Sequence, residues 1–271
     1  MNIYHICKYT IQIFRGVGMG IVIKAACGCN VGKIRKNNED NFYFGGRILP
    51  QNNSGLRNIY RKKFALDKSP LFAIFDGMGG EEAGEVASFV AAEIAKEYAR
   101  YFKEHDSDPD ELLLKMSDDM NRAVCVEMDN LGGGRMGSTL VALTFTKDQL
   151  YTCNLGDSRI YRYRDDNLLQ LSQDDIELLP PGVNRKPCLM QHLGIFEDEL
   201  KLEPHIVNET VKKGDVLLIC SDGLTDMVSL VEICSILKDF RSEKRAVKKL
   251  IELALEHGGK DNTTVIVCRI K

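Results

Sequence analysis

An aspartate that separates a short apolar run from a run of glycines is the first feature of this sequence that could do chemistry. Residues 72–75 are aromatic and apolar, as expected of a buried strand, and Asp76 follows them directly. Residues 77–80 are Gly-Met-Gly-Gly, and glycines let the backbone approach a ligand where side chains would clash. An acid in this position could face a metal ion, although a lone Asp-Gly pair more often caps a helix.

Recurrence of the pattern favours the metal site over the helix cap. An apolar run that ends or begins at an aspartate returns at residues 154–157, 217–223 and 261–267, where the acids are Asp157, Asp222 and Asp261. One aspartate at a strand end is ordinary, but four of them indicate a shared site.

The strand directions predict where these carboxylates meet. Asp76 and Asp222 follow their strands, whereas Asp261 precedes its strand. If the strands are antiparallel, all three carboxylates reach one rim of a sheet. Clustered acids repel one another, so bound divalent cations are the economical explanation. Ligands that are all oxygen predict Mg²⁺ or Mn²⁺ rather than zinc.

A pair of such ions, bridged by an acid, could lower the pKa of a bound water and so support phosphoester hydrolysis. The phosphate of the substrate would then need an orienting cation. Arg35 precedes Glu39 by four residues in one polar loop, and its planar donor fork suits phosphate.

The elements that must position these residues can be inferred from hydrophobic periodicity and helix caps. Strands are predicted over residues 21–29, 41–48, 72–75, 216–221 and 263–270, and an antiparallel meander over 138–172. Helices are predicted over residues 81–102 and 108–131, from Ser229 onward, and over 242–256. Residues 51–70 are polar and basic and are predicted to form a surface loop. Hairpins without β-α-β alternation favour an α+β fold of two stacked antiparallel β-sheets flanked by helices.

Length and composition indicate a single ordinary globular domain. The chain has 271 residues, 44% hydrophobic and 28% charged, and a net charge of −3. This balance gives no electrostatic reason to expect nucleic acid or an anionic membrane as a partner, and no apolar run reaches the length of a membrane span. The regular pattern begins near residue 21, so residues 1–20 are expected to be an N-terminal extension, with Met19 as a candidate native start.

The cysteines indicate a reducing environment. There are nine, an odd number, and most lie inside apolar runs rather than in paired spacings. Cys27 and Cys29 are close together but lack the second pair that a zinc site needs. We therefore expect reduced thiols and a cytoplasmic location.

Six blocks in order resemble the type 2C (PPM) family of metal-dependent Ser/Thr protein phosphatases, in its bacterial form. The resemblance covers residues from about 25 to 270. The blocks are residues 35–40 (Arg-Lys-Asn-Asn-Glu-Asp), 76–80 (Asp-Gly-Met-Gly-Gly), 136–140 (Met-Gly-Ser-Thr-Leu), 156–161 (Gly-Asp-Ser-Arg-Ile-Tyr), 220–226 (Cys-Ser-Asp-Gly-Leu-Thr-Asp) and 261–265 (Asp-Asn-Thr-Thr-Val). Each block is weak evidence by itself, but the ordered set is highly specific.

The resemblance implies a role for each acid. Asp76 would bridge two metal ions, Asp222 and Asp261 would hold the first ion, and Glu39 with the carbonyl of Gly77 would support the second. It also implies that Asp40 orients metal-bound waters and that Asp157 joins Asp222 in a third, weaker metal site near Asp226. Arg35 would bind the substrate phosphate, Ser138 and Thr139 would be structural or support the site, and Arg159 and Asn262 would stabilise strand ends.

The sequence departs from the family pattern in two places. Some relatives carry a histidine directly after the Asp-Gly pair, but this chain has Met78, so a metal-bound water or the solvent must protonate the leaving group. The histidines at 105, 192, 205 and 257 are each expected to be surface or packing residues and not the general acid. The flap, residues 174–209, is shorter than is usual, and Asp174 or Asp175 could substitute for the family's flap aspartate, although a solvated turn is the commoner role.

The sequence therefore predicts an enzyme: a phosphatase that hydrolyses phosphoserine and phosphothreonine in proteins with metal-activated water at a dinuclear Mn/Mg centre. Its expected partners are phosphorylated proteins, including a Ser/Thr kinase and its targets, and the chain is expected to be a monomer. One alternative is a pseudophosphatase that senses phosphate or binds a partner. Another is a metal-dependent phosphodiesterase or nuclease, which the net charge and the lack of a basic aromatic groove disfavour.

Overall fold

The computed structural model of the chain describes residues 21–79, 83–105, 107–146, 148–180, 182–183 and 185–271. The predicted extension at residues 1–20 and the candidate start at Met19 lie outside these residues. The described strands are β1 (Val22–Asn30), β2 (Asp40–Phe44), β3 (Tyr60–Ala65), β4 (Phe72–Gly79), β5 (Met136–Ser138), β6 (Leu140–Thr146), β7 (Gln149–Leu155), β8 (Arg159–Arg164), β9 (Asn167–Gln170), β10 (His205–Thr210), β11 (Val216–Cys220) and β12 (Thr263–Ile270). The described helices are α1 (Gly84–Glu104), α2 (Pro109–Asn130), α3 (Asp222–Thr225), α4 (Leu230–Asp239) and α5 (Glu243–Glu256).

The strands form two antiparallel sheets. The first sheet has the order β3-β1-β12-β11-β8-β9, and the second has the order β10-β7-β6-β4-β2, with β5 paired to β4. All of these pairs are antiparallel, including the central pairs β1–β12 and β4–β6. The predicted α+β fold of two stacked sheets flanked by helices is confirmed.

Three apolar clusters give the molecule its layers. Phe42, Phe72 and Ile266 belong to the cluster between the two sheets. α1 and α2 cover the outer face of the second sheet, where Ala91 and Met116 are fully buried. α4 and α5 cover the outer face of the first sheet in the same way. The order of layers is therefore helix, sheet, sheet, helix, with a separate apolar interface between each pair of layers.

Helix ends lie where the capping residues predict them. The Asp108 side chain accepts a hydrogen bond from the Asp110 N–H at 3.0 Å, and Pro109 is the first residue of α2. Ser229 and Glu232 form a reciprocal capping box at the start of α4, as the sequence predicts. Local side-chain chemistry therefore sets these two boundaries.

The prediction of a loop over residues 51–70 is wrong for part of that segment. β3 forms there and pairs with the outer edge of β1. Tyr60 and Phe64 face the cluster between the sheets, whereas Arg61 and Lys63 point away from it. Because β3 is an edge strand with charged residues on its solvent side, its composition resembled that of a loop.

The predicted meander over residues 138–172 is also wrong in its pairing. β6 pairs with β7 in the second sheet, but β8 pairs with β9 and β11 in the first sheet. The chain changes sheets between Leu155 and Arg159, where Gly156 has a φ of +95°. β7 and β8, which are consecutive in the sequence, therefore lie in different sheets.

The eight cysteines in the described part of the chain are free thiols. Six of them are buried, Cys234 is half-buried and Cys188 is exposed. In the same residues, no helix has both the length and the apolar character that crossing a bilayer requires.

The aromatic cluster between the sheets generates a stability prediction. The Phe72 ring is fully buried and lies 4.9 Å from the Phe64 ring and 5.8 Å from the Phe44 ring, measured between centroids. We expect Phe72→Ala to lower the free energy of unfolding by about 3–5 kcal/mol, since it removes a buried ring and leaves a cavity. Urea denaturation measures this change, with the half-exposed Tyr101→Ala as the control, expected to change it by less than about 1 kcal/mol. Equal losses in the two variants would contradict this account of the core.

Candidate active site

The predicted metal-binding aspartates meet at one end of the sandwich, but they come from both sheets. Asp76 lies within β4 of the second sheet, in register with Asp40 of β2. Asp222 follows β11 and Asp261 precedes β12, and these two strands pair antiparallel in the first sheet. The prediction that all three carboxylates share the rim of one sheet is therefore wrong. The two sheets stack with these strand ends on the same side, and the carboxylates approach one another across the gap between the sheets.

A cleft of about 410 Å³ opens between these strand ends. Its lining includes the predicted residues Arg35, Glu39, Asp76, Gly77, Asp157, Asp222 and Asp261. It also includes Met78, Gly79 and Thr139, together with Lys186, Pro187, Cys188 and Leu189 from the flap. The structure thus gathers most of the predicted site residues, whereas Asp40 lies beneath the cleft and Asp226 beside it.

A close approach of backbones brings Glu39 next to Asp76. The Gly77 N–H donates to the Glu39 carbonyl at 3.1 Å, and a Cβ atom on Gly77 would lie 2.1 Å from the Gly84 carbonyl oxygen at the start of α1. Only glycine fits there. The Glu39 N–H in turn donates to the Asn262 side-chain oxygen at 2.7 Å, so Asn262 ties the Glu39 loop to the strand end beside Asp261.

Thr139 holds the backbone of Asp76. The Asp76 N–H donates to the Thr139 hydroxyl at 3.0 Å, and the Thr139 N–H donates to the Asp76 carbonyl at 2.9 Å. The same hydroxyl is 2.8 Å from the hydroxyl of Ser158, which follows Asp157 in the turn that changes sheets. Thr139 therefore couples the positions of two of the acids.

Asp40 joins the two sheets under the cleft. Its Oδ2 accepts hydrogen bonds from Ser221 Oγ at 2.8 Å and Thr264 Oγ1 at 2.6 Å. Ser221 directly follows β11 and Thr264 lies in β12, and both strands belong to the first sheet. Its Oδ1 is buried and has no protein donor. Burial raises the pKa of Asp40 to about 7, although the two hydroxyl donors act against that rise.

Burial and mutual repulsion also disturb the other acids. The pKa of Asp76 lies well above its ordinary value because the carboxyl is buried and because Asp222 and Asp40 lie nearby. Burial, with the charge of Asp222, raises the pKa of Asp157 to about 6. The pKa values of Glu39 and Asp226 are raised by burial as well. The protein's own cationic groups therefore do not neutralise all of the negative charge at this end of the sandwich.

Two cationic side chains reach into the cluster from opposite sides. Arg35 Nη2 donates to Asp261 Oδ2 at 2.7 Å, and this hydrogen bond raises the pKa of the Arg35 guanidinium. Lys186 of the flap pairs with Asp222, and its Nζ lies 3.5 Å from Asp226 Oδ2. The sequence offered no signal for Lys186, because a lysine in an irregular basic segment is normally solvated.

Within the described ranges, no group of three or more His, Cys, Asp or Glu side chains is already arranged to hold a metal ion. The chemistry of the cleft nevertheless fits Mg²⁺ or Mn²⁺. Its potential donors are carboxylates and the Gly77 carbonyl, which are the hard oxygen ligands that these ions prefer. The unpartnered Asp40 Oδ1 and the raised pKa of Asp76 both indicate negative charge that a divalent cation would compensate.

The flap aspartates Asp174 and Asp175 form hydrogen bonds outside the cleft. Asp174 accepts hydrogen bonds from the Arg159 guanidinium, the shortest of them at 2.6 Å. Asp175 accepts from the Gly156 N–H at 2.9 Å, and its other oxygen is 2.7 Å from His205 Nε2. Neither residue lines the cleft, so the structure gives no support to their substitution for a metal ligand.

The described part of the cleft is lined by Met78 and by no histidine. His192 and His257 contact the carbonyls of Leu193 and Met227, each through Nδ1 at 2.8 Å. The expectation that these histidines serve packing and surface roles is consistent with those contacts.

Comparison with known proteins assigns this arrangement to a family. The sequence profile described as Protein phosphatase 2C matches residues 61–264, which is more than half of the chain. The chain belongs to the protein phosphatase 2C family. The expectation that it is a family member, drawn from the six sequence blocks, is confirmed.

Relatives of this phosphatase 2C chain are similar over most of its length. It is 34% identical over 257 residues to the serine/threonine phosphatase stp of Listeria innocua, which covers 87% of this chain and 91% of the relative. It is 33% identical over 268 residues to the serine/threonine protein phosphatase PstP of Mycobacterium tuberculosis, which covers 92% of this chain. The chain spans only 45% of the length of PstP.

A solved structure shows the same fold. The catalytic domain of PstP, in complex with two manganese ions, superposes with a TM-score of 0.75 at 30% identity, over 92% of this chain and 99% of that domain. The stacked-sheet architecture of this phosphatase 2C chain is therefore that of its family.

The raised pKa of Asp76 generates a prediction for the metal-free protein. An acid with a higher pKa in the fold than in the unfolded chain stabilises the fold fully below the unfolded value of about 4, and this stabilisation is lost as pH rises through the folded value. In EDTA, the free energy of unfolding should therefore fall as the pH rises above about 4. The free energy of unfolding of Asp76→Asn should fall less steeply with pH, so the variant should be more stable than wild type at neutral pH.

Urea denaturation from about pH 4 to neutral pH, with EDTA present, measures both slopes. The exposed Asp67→Asn is the matched control and should keep the wild-type slope. Identical slopes for Asp76→Asn and wild type would show that Asp76 does not carry this charge penalty.

Proposed function

We propose that the chain hydrolyses phosphoserine and phosphothreonine in proteins at a dinuclear Mn²⁺ or Mg²⁺ centre. The observation that carries this proposal is the cleft in which carboxylates from both sheets face one another with Arg35 at the rim. Membership of the protein phosphatase 2C family and the two manganese ions of the PstP catalytic domain support it.

The acids of the cleft would divide the two ions between them. Asp76 would bridge both ions, Asp222 and Asp261 would hold the first, and Glu39 with the Gly77 carbonyl would support the second. Asp40, whose Oδ1 has no protein donor, would accept a hydrogen bond from water at the centre. When bound, the ions would lower the pKa of a water molecule and screen the charge of the phosphate.

Arg35 would orient the substrate phosphate. Its side chain is half exposed at the mouth of the cleft and donates to Asp261, so the guanidinium has further donors for phosphate oxygens. Met78 lines the cleft but cannot donate a proton, so the leaving alkoxide would take its proton from water.

We further infer that residues 21–271 form a single catalytic domain, with residues 174–209 as its shortened flap. Its substrates would be phosphorylated proteins, and it would oppose a Ser/Thr kinase. The names of stp and PstP, both serine/threonine phosphatases, support this substrate class. A pseudophosphatase would be expected to lose metal ligands, whereas all five predicted metal-binding positions line this cleft.

Metal-dependent release of phosphate tests the activity directly. We expect the wild-type protein with Mn²⁺ to release phosphate from a phosphothreonine peptide and to leave single-stranded DNA intact. Asp76→Ala should lower kcat by at least about a thousandfold, since it removes the shared ligand of both ions. The exposed Asp67→Ala is the control and should retain activity. A wild-type protein that is inert with Mn²⁺, or a fully active Asp76→Ala, would overturn the proposal.

Arg35 has a separate kinetic signature. We expect Arg35→Ala to raise KM for the phosphothreonine peptide by roughly tenfold or more with a smaller change in kcat, because Arg35 binds phosphate in both the ground state and the transition state. Lys36→Ala removes the neighbouring exposed cation and serves as the control. Steady-state kinetics measures both constants. A fall in kcat at unchanged KM would contradict a role in phosphate binding.

A further inference from the structure

Lys186 lies where three acids of the cleft converge. Its ammonium group pairs with Asp222 and lies 3.5 Å from Asp226 Oδ2 and 4.0 Å from Asp157 Oδ2. Asp222 and Asp157 are largely buried, with side-chain exposures of 10% and 13%. Lys186 is therefore a cation that compensates this side of the cluster, as Arg35 does on the side of Asp261.

The backbone around Lys186 is anchored rather than free in solvent. The Glu177 N–H donates to the Cys188 carbonyl at 3.0 Å, and the Met190 N–H donates to the Asp175 carbonyl at 2.8 Å. Arg185 adds a fork to the Glu177 carboxylate, with Nη2 to Oε2 at 2.8 Å. These bonds join residues 175–177 to residues 185–190, the segment that holds the lysine over the cleft.

The base of this segment is fixed to the sandwich. Asp175 accepts from the Gly156 N–H at 2.9 Å, next to Asp157, and its other oxygen lies 2.7 Å from His205 Nε2 at the start of β10. Asp175 therefore helps to hold the segment that carries Lys186 against the sandwich. Among the described flap residues lining the cleft, the charge that faces the acids is positive.

We propose that Lys186 is a tethered cation that takes the place of a third divalent ion at Asp157, Asp222 and Asp226. The protein would then bind two metal ions and not three. This inference rests on the proposed dinuclear centre and adds the number of ions that the site accepts.

The geometry lets Asp222 contact Lys186 and also bind an ion of the dinuclear centre. An ammonium group has three donors, which is enough for one oxygen from each of the three acids. Lys186 contacts Oδ2 of Asp222, so Oδ1 remains for an ion of the dinuclear centre. Because the lysine is tethered by the flap, its charge is present at every metal concentration, and a third ion would have to displace it.

Metal stoichiometry tests the inference without relying on turnover. Isothermal titration with Mn²⁺, with native mass spectrometry as a second count, should give two ions for wild type. Lys186→Gln removes the charge at similar length and should bind a third ion at least about tenfold more tightly than wild type does. Lys186→Arg keeps the cation and should remain at two ions. Lys201→Gln, which changes a flap lysine outside the catalytic cleft, is the matched control and should also remain at two.

A double variant locates the third ion. Lys186→Gln with Asp226→Asn should return to two ions, since one of the acids freed by the first change is neutralised by the second. Equal stoichiometry and affinity in wild type and Lys186→Gln would overturn the inference, as would three equally tight ions in wild type. Wild-type protein that binds no Mn²⁺ at all would instead refute the proposed dinuclear centre, so the two failures are distinguishable.

Discussion

Repulsion between carboxylates is the constraint on which the rest of this structure depends. Asp76, Asp157 and Asp222 approach one another at one end of the sandwich, and burial deprives them of the solvent that would screen their charges. Such a cluster opposes folding unless cations are held with it. Burial and repulsion raise the pKa values of Asp76 and Asp157. Arg35 and Lys186 compensate only part of the negative charge.

The fold holds the acids together against this repulsion with short-range contacts between the two sheets. Asp40 of the second sheet accepts hydrogen bonds from Ser221 and Thr264 of the first-sheet side, and Asn262 binds the Glu39 loop. The Gly77 backbone packs against α1 so closely that a Cβ atom would not fit. The apolar layers on either side of the sheets supply free energy of folding that offsets the cost of gathering these charges.

Much of the architecture was predictable because it depends on local chemistry. The N-cap of α2 at Asp108 and the capping box of α4 at Ser229 lie where the sequence places them, and β12 spans the predicted residues 263–270. β3 was missed because an edge strand needs only one apolar face, and its charged face resembles a loop. The meander was assigned to one sheet because strand patterns reveal burial but not which partner provides it.

The sequence by itself determined the kind of chemistry at the site: oxygen donors in or beside strands, glycines where the backbone must approach closely, and Arg35 four residues before Glu39. It also determined the family, because six ordered blocks are specific even where each is short. Only the tertiary structure decided that the acids come from two different sheets and that Lys186 joins them. Both facts arise from contacts between residues far apart in the chain, whose distances depend on how the two sheets stack and where the flap is anchored.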